Sequence, residues 1–358
     1  MAFITLDTQK LKKNYDYLEE LLSKNGVTWA IVSKLLCGNK TYLEEVINLG
    51  VQQLCDSRVS NLRMIKSISD KVETVYIKPP PKHSIDEIVK YADISFNTER
   101  NTIELLSEEA KKQGKTHKII IMIETGELRE GVLQEDFLDF YNAVFKLPNI
   151  EVVGIGTNLT CMYGILPSHD KLVQLCLYEQ LIEAKFNKEI EYVSGGASVT
   201  IPLIFQGLLP KGINHFRIGE TFFLGTDVYN NVTFEQMEND AFQLYATIIE
   251  LTEKRMRPIG ELGKNLLGET IIFEDSNQSE TSHRALIDLG LLDIDQKHIK
   301  LKNKDLKIVG ASSDMLVVDL GKNKENYQVG SQLEFEMDYM GVLRIMNSKY
   351  IEKKIKEN

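Results

Sequence analysis

Lys34 closes the first apolar run of the chain, TWAIVS (28–33). If that run is a buried strand, the ε-amine at its end is desolvated, which favours the neutral, nucleophilic amine that attacks carbonyls. A solvated lysine at a strand end is the commoner outcome when no other group converges on it. Two later runs end in groups that suit the other end of such a ligand. One closes in Ser194-Gly195-Gly196-Ala197-Ser198, the other in Arg217-Ile218-Gly219. Glycines let a backbone approach a phosphate closely, and a serine at a helix start adds a hydroxyl beside free N–H groups. Alone, S-G-G-A-S is equally a plain turn and N-cap. Opposite a strand-end lysine, the combination suits a phosphorylated aldehyde held at both ends. Arg129, within Glu124–Gly131, suits a phenolate or carboxylate at a barrel mouth; read alone, a surface pair with Glu127 or Glu130 is the favoured reading.

The elements that would position these groups follow a repeat. Apolar runs occur at 28–33, 53–56 (QLCD), 74–78 (TVYIK), 94–97 (ISFN), 119–124 (IIIMIE), 151–156 (EVVGIG), 191–195 (EYVSG) and 215–219 (HFRIG). Stretches of helical periodicity such as TYLEEVINLG and FLDFYNAVFKL lie between them. Strands alternating with helices imply βαβ units and a parallel sheet, and eight units close a (β/α)8 TIM barrel, an α/β fold whose catalytic groups sit where the strands end. An open doubly wound sheet fits the same pattern, but no G-x-G-x-x-G follows the first strand. After about residue 230 the segments become β-branched and punctuated by Gly, Asn and Asp: FQLYATIIELTEKRM, ETIIFED, RALIDLGLL, LKIVGAS, MLVVDLG and QLEFEMDYMGVLRI. The sequence therefore predicts a barrel over residues 7–228 and a mainly β C-terminal domain over 229–358, with residues 1–6 pairing with the latter. The charged KYIEKKIKEN end is expected to fray.

Composition narrows the partners. The 358 residues are 43% hydrophobic and 26% charged, ordinary for a globular protein. A net charge of −10 argues against nucleic acid, whose phosphates reward a basic surface. No apolar run approaches the roughly 20 residues of a membrane span. The opening MAFITLDTQKLKKNYD lacks the pattern of a signal peptide, so a cytoplasmic location is expected. Cys37, Cys55, Cys161 and Cys176 form no C-x-x-C pair, and the six histidines show no metal-ligand spacing, so no metal is expected.

In VSKLLCGN (32–39), CDSRVSNLRMIK (55–66), IETGELREG (123–131), GIGTNLTC (154–161), VSGGAS (193–198) and INHFRIGE (213–220), the chain resembles the fold-type III pyridoxal 5'-phosphate enzymes, specifically the alanine racemase family and its ornithine racemase branch. ASSDMLVVDL and EMDYMG are similar to that family's C-terminal β domain. The resemblance implies an amino-acid racemase with pyridoxal 5'-phosphate as cofactor, a small amino-acid substrate and a homodimer with shared active sites. By position it implies Lys34 as the Schiff-base lysine, Arg217 on the pyridine nitrogen, and Ser198 and the Gly219 backbone on the phosphate, with Ser194 in the same phosphate loop. It places Tyr339 near the phosphate, Arg129 near the phenolate, and Asn158 where the family has a histidine beneath the ring.

Arg217 carries a physical consequence. A guanidinium cannot accept a proton, so a ring nitrogen facing it stays unprotonated and the ring becomes a weaker electron sink. Rapid reprotonation at Cα is then favoured over transamination, which suits racemisation, with Lys34 moving the proton on one face. The opposite-face tyrosine of the family is absent: Ile287-Asp288-Leu289-Gly290-Leu291-Leu292-Asp293 has leucine in its place. Candidates for the second acid–base are Cys37, Asp288 and Asp314. Met122 stands where alanine racemases often have a modified lysine. These departures point to a longer cationic substrate such as ornithine, with Glu127 and Asp314 as partners for its distal ammonium. A non-catalytic cofactor carrier, or an aldolase or decarboxylase on the same scaffold, are the alternatives.

Overall fold

The structure, a computed structural model, describes residues 2–264, 268, 270 and 280–357. After β1 (Phe3–Leu6), eight parallel strands close a barrel: β2 (Thr28–Val32), β3 (Gln53–Asp56), β4 (Glu73–Tyr76), β5 (Ile94–Asn97), β6 (His117–Met122), β7 (Ile150–Gly156), β8 (Tyr192–Ala197) and β9 (His215–Ile218). The barrel, and not the open sheet, is the fold. Each of the eight apolar runs overlaps one strand, and QLCD and ISFN coincide with β3 and β5. Both faces of these strands are covered, one by helices and one by the barrel interior, so they read as continuous apolar runs and not as alternating ones. Closure is made between β9 and β2, where Thr28, Ala30 and Ile31 pair with His215, Arg217 and Ile218.

The helices between strands bury one stripe each. In Thr8–Lys24 the buried residues are Leu11, Asn14, Leu18 and Leu22, spaced three and four apart. Asn39 caps Lys40–Asn48, its side chain accepting the Tyr42 N–H at 3.0 Å. Ala30, Val32, Cys55, Phe96, Ile120 and Met122 belong to the cluster that fills the barrel. Met122 is thus a core side chain. A short hairpin, β10 (Thr226–Asp227) with β11 (Val232–Thr233), follows the last barrel helix.

Thr8–Asn239 forms one compact unit, and the other joins the N-terminal strand to the chain from Asp240 onward. The second unit is built on β12 (Phe242–Arg255), β13 (Thr281–Ile287), β14 (Ile299–Leu301), β15 (Lys307–Ala311), β16 (Leu316–Asp319), β17 (Gln332–Met337) and β18 (Glu352–Ile355). The sheet runs β14-β17-β12-β13-β16-β15, with β1 pairing both β12 and β18. QLEFEMDYMGVLRI divides into β17 and a helix, Tyr339–Asn347, whose cap Asp338 accepts the Gly341 N–H at 2.8 Å. The ETIIFED segment lies almost wholly outside the described residues. The C-terminal segment does not fray: β18 runs parallel to β1, with Phe3 opposite Glu352 and Leu6 opposite Ile355. Its lysines serve that pairing. Lys354 lies 4.3 Å from the Phe3 ring centroid, and Lys356 bonds Asp7 at 3.0 Å.

Candidate active site

The C-terminal end of β2 turns at once into the short 3-10 helix Ser33–Leu36, which carries Lys34. Ser33 is buried and donates to the Cys55 carbonyl at 3.2 Å and to Asp56 Oδ2 at 3.1 Å. Asp56, also buried, accepts from the Arg58 N–H at 2.9 Å and from Asn61 Nδ2 at 3.1 Å. Burial pushes the Asp56 carboxyl above its ordinary range, and these donors oppose the push. The turn needs Gly38, which has φ +73°, because a Cβ there would stand 2.6 Å from Asn61 Oδ1. Lys34 is therefore held by a rigid turn. Its side chain is exposed, contrary to the desolvation expected at the strand end. The 3-10 turn starts at Ser33, so the residue facing the core is Ser33 and Lys34 turns outward.

Arg217, on β9, lies inside the barrel with its guanidinium 5.2 Å from the centroid of the Phe96 ring. It is only 6% exposed. Nη1 donates to the Ser194 carbonyl at 3.0 Å and to Ser194 Oγ, and Nη2 donates to the Thr157 carbonyl at 2.7 Å. Among the described residues no carboxylate pairs with it, and its Nε–H is uncommitted. Burial lowers its pKa from the ordinary arginine value without bringing in a proton acceptor. Ser194, read as part of a phosphate loop, is fully buried instead, and its hydroxyl is spent on Arg217 and on His215. Ser198 is buried as well, and its Oγ accepts the Thr221 N–H at 3.2 Å. That bond ties the turn Ser198–Thr200 after β8 to the helix Glu220–Leu224, which Gly219 precedes after β9. Backbone N–H groups from both helix starts therefore lie side by side.

The loops after β6 and β7 meet through Glu127. It is 2% exposed, and its carboxylate accepts the backbone N–H groups of Thr160 at 3.1 Å, Met162, Tyr163 at 2.9 Å and Ile165 at 3.1 Å. Burial pushes this carboxyl up, but the four donors outweigh it and the net direction is downward. Glu127 was expected to face a substrate ammonium. Its two oxygens each hold two N–H groups, so it is a clamp on residues 160–165 and not an ammonium partner. Arg129 forms a two-point pair with Glu130, the surface pairing, and this pair pushes its pKa further up. Asn158, beside the Thr157 carbonyl that Arg217 uses, donates to Cys161 Sγ at 3.0 Å. Cys161 was not singled out by the sequence. The GIGTNLTC segment contained it, but a lone exposed thiol carries no spacing signal.

Cys37 sits in the left-handed region (φ 49°) at the end of the Lys34 turn, half-buried, with its N–H on the Lys34 carbonyl at 3.2 Å. Asp288, Asp314 and Tyr339 belong to the second unit. There the turn after β13 lies against the Asp314 backbone: Leu291 and Leu292 N–H groups donate to the Ser312 and Ser313 carbonyls, and a Cβ on Gly290 would stand 2.4 Å from Asp314 Cα. Leu289 is fully buried, so its apolar side chain is used as core. Asp314 is exposed and accepts from Ser313 Oγ at 2.5 Å. Tyr339 opens the helix that Asp338 caps.

Residues 6–227 match the alanine racemase N-terminal domain. The chain belongs to the alanine racemase family. It is 37% identical over 353 residues to an ornithine racemase of Acetoanaerobium sticklandii, covering 98% of this chain and 99% of that one. It is 29% identical to a lysine racemase of Thermotoga maritima over 98% of this chain and 97% of the relative. An alanine racemase of Bartonella henselae, solved with covalently bound pyridoxal phosphate, has the same fold: TM-score 0.73 over 99% of both chains, at 16% identity. Among the described residues no three His, Cys, Asp or Glu side chains cluster as metal ligands, and no helix is long and apolar enough to cross a membrane.

Proposed function

We propose that this protein racemises ornithine with pyridoxal 5'-phosphate bound through Lys34. The observation that carries the reading is Arg217: a buried guanidinium whose partners are carbonyls and a hydroxyl, with a donor still free at Nε. The donor set fits the cofactor. Lys34 offers an exposed amine, Arg217 a donor that cannot take a ring proton, and Ser198 with the adjacent helix starts a phosphate cradle. When bound, the cofactor supplies the electron sink that acidifies the substrate Cα–H. Lys34 takes and returns the Cα proton on one face. Cys37, Asp288 and Asp314 are the candidates for the other face, and Cys161, held by Asn158, joins them. Asp314 stays the candidate for the distal ammonium. The protein acts as a cytoplasmic homodimer in this reading. Its choice of ornithine over alanine rests on the likeness to the sticklandii racemase along the whole chain.

The test is incubation of the cofactor-loaded protein with L-ornithine, L-lysine, L-arginine and L-alanine, followed by chiral chromatography. Ornithine should approach an equal mixture of enantiomers fastest. Faster conversion of alanine overturns the substrate assignment, and conversion of none overturns the activity.

A further inference from the structure

We infer that His215, Gln53 and Glu73 are positioning residues for Arg217, acting through Ser194. The inference rests on reading Arg217 as the donor to the cofactor ring nitrogen. The four side chains form one line through the barrel interior. Ser194 Oγ lies 2.7 Å from His215 Nδ1, His215 Nε2 lies 2.9 Å from Gln53 Oε1, and Gln53 Nε2 lies 2.6 Å from Glu73 Oε2. Strand register explains the line. Ser194 neighbours His215 across β8 and β9, Gln53 neighbours Glu73 across β3 and β4, and His215 and Arg217 are two residues apart on the same inward face. His215 spans the distance between the two pairs from beneath β2.

Chemistry leaves one arrangement of the protons. The Glu73 carboxylate only accepts, so Gln53 turns its NH2 toward it and its carbonyl oxygen toward His215 Nε2, while Ser194 Oγ accepts from Arg217, which has donors only. A neutral imidazole then carries its hydrogen on Nε2, facing the Gln53 carbonyl oxygen. That leaves Nδ1 to accept the Ser194 hydroxyl hydrogen. Every donor in the chain points from Arg217 toward Glu73, so the guanidinium meets the negative end of an aligned series of dipoles that finishes on a full charge. Ser194, His215 and Gln53 are all more than nine-tenths buried. Burial and the neighbouring Arg217 charge push His215 down to about 3, so the imidazole stays neutral as the chain requires. With no carboxylate pairing directly with Arg217 among the described residues, the Ser194 and Thr157 carbonyls and this relay fix the plane of the guanidinium and leave its Nε–H edge available.

Two measurements test this. In the first, the cofactor-loaded His215→Phe and Glu73→Gln variants are compared with the wild type. His215→Phe should lose about 100-fold in kcat for ornithine, the scale of a misplacement near 1 Å, while KM and cofactor loading stay near the wild type. Conversion of cofactor to its amine form per racemisation event should rise, because a loosened Arg217 no longer keeps the ring nitrogen bare. Glu73→Gln, conservative and half-buried, should show the same shift in partition to a smaller degree, and His215→Gln should recover most of the loss. A merely structural role would lower stability and activity together without changing that partition. In the second, nitrogen NMR of the protein without cofactor should show His215 as the Nε2–H tautomer. An Nδ1–H or charged His215, or a folded His215→Phe with wild-type kcat and partition, overturns the relay. The tautomer measurement uses no substrate, so a wild-type protein inactive on ornithine overturns the functional reading by itself.

Discussion

At the N-terminal ends of the barrel strands, Gln53, His215 and His117 are buried and spend polar atoms on one another, on a serine or on Glu73. At the C-terminal ends, Lys34 and Cys161 reach solvent, and loops are held in place by single buried groups, Asp56 at the loop after β2 and Glu127 at the loops after β6 and β7. One end is saturated and the other is left with unspent donors and nucleophiles. The difference separates residues that can react from residues that can only aim them, and substitutions at the two ends should fail in different ways.

The largest effect belongs at the open end. Lys34→Ala should reduce racemisation by about 10⁴-fold, because it removes a nucleophile and an acid–base at once, while leaving the melting temperature within a degree or two of the wild type. A folded Lys34→Ala protein that still racemises at a tenth of the wild-type rate would break the comparison. Arg217→Gln comes next. It should cost about 10²-fold to 10³-fold in kcat and increase side transamination, seen as accumulation of the amine form of the cofactor.

Glu127→Gln sits between the two ends in character. An amide supplies one acceptor oxygen and turns two donors toward N–H groups, leaving about 1–3 kcal/mol of unsatisfied polar cost per lost bond. Chemical denaturation should show that loss, and limited proteolysis should cut first within 160–165. The folded-state pKa of Glu127 is depressed, so its stabilisation is present above the unfolded carboxylate value near 4.3 and is lost as the pH falls below it.

The closed end should show itself as acid sensitivity in a different window. His215 is pushed down to about 3 and His117 to about 4, both mainly by burial. The unfolded chain binds protons on both from about pH 6.5 downward while the folded chain does not. Stability should therefore fall as the pH drops below about 6.5, by about 1.4 kcal/mol per pH unit for each histidine, and Glu127→Gln should leave the slope above about pH 5.5 unchanged. Equilibrium unfolding between pH 4 and 7 measures it. The smallest effect is expected in the second unit: Asp338→Ala removes a helix cap at about 1 kcal/mol, with no change in the partition between racemisation and transamination.

The barrel was legible because its strands are buried on both faces and its turns are polar, so eight apolar runs stood out without any tertiary information. The positions of Lys34, Arg217 and Ser198 at the ends of barrel strands could be read for the same reason. What the sequence hid were contacts made across the barrel. Glu127 read as a free acid because its partners are backbone N–H groups thirty-odd residues away, which no side-chain pattern records. Ser194 read as a loop residue, although its position on β8 pairs it with His215 and points it inward. The C-terminal lysines read as a fraying tail because a parallel pairing with β1 leaves no local signature.

In the proposed reaction a Cα proton is removed and returned on both faces of a substrate held between Lys34 and a second group. The most direct test is solvent exchange: cofactor-loaded protein in heavy water, given L-ornithine and D-ornithine separately, with deuterium at Cα followed by mass spectrometry in both enantiomers of the product. The account predicts deuterium incorporation from either starting enantiomer, accompanied by inversion. Exchange confined to one enantiomer, with full retention of configuration, would contradict it.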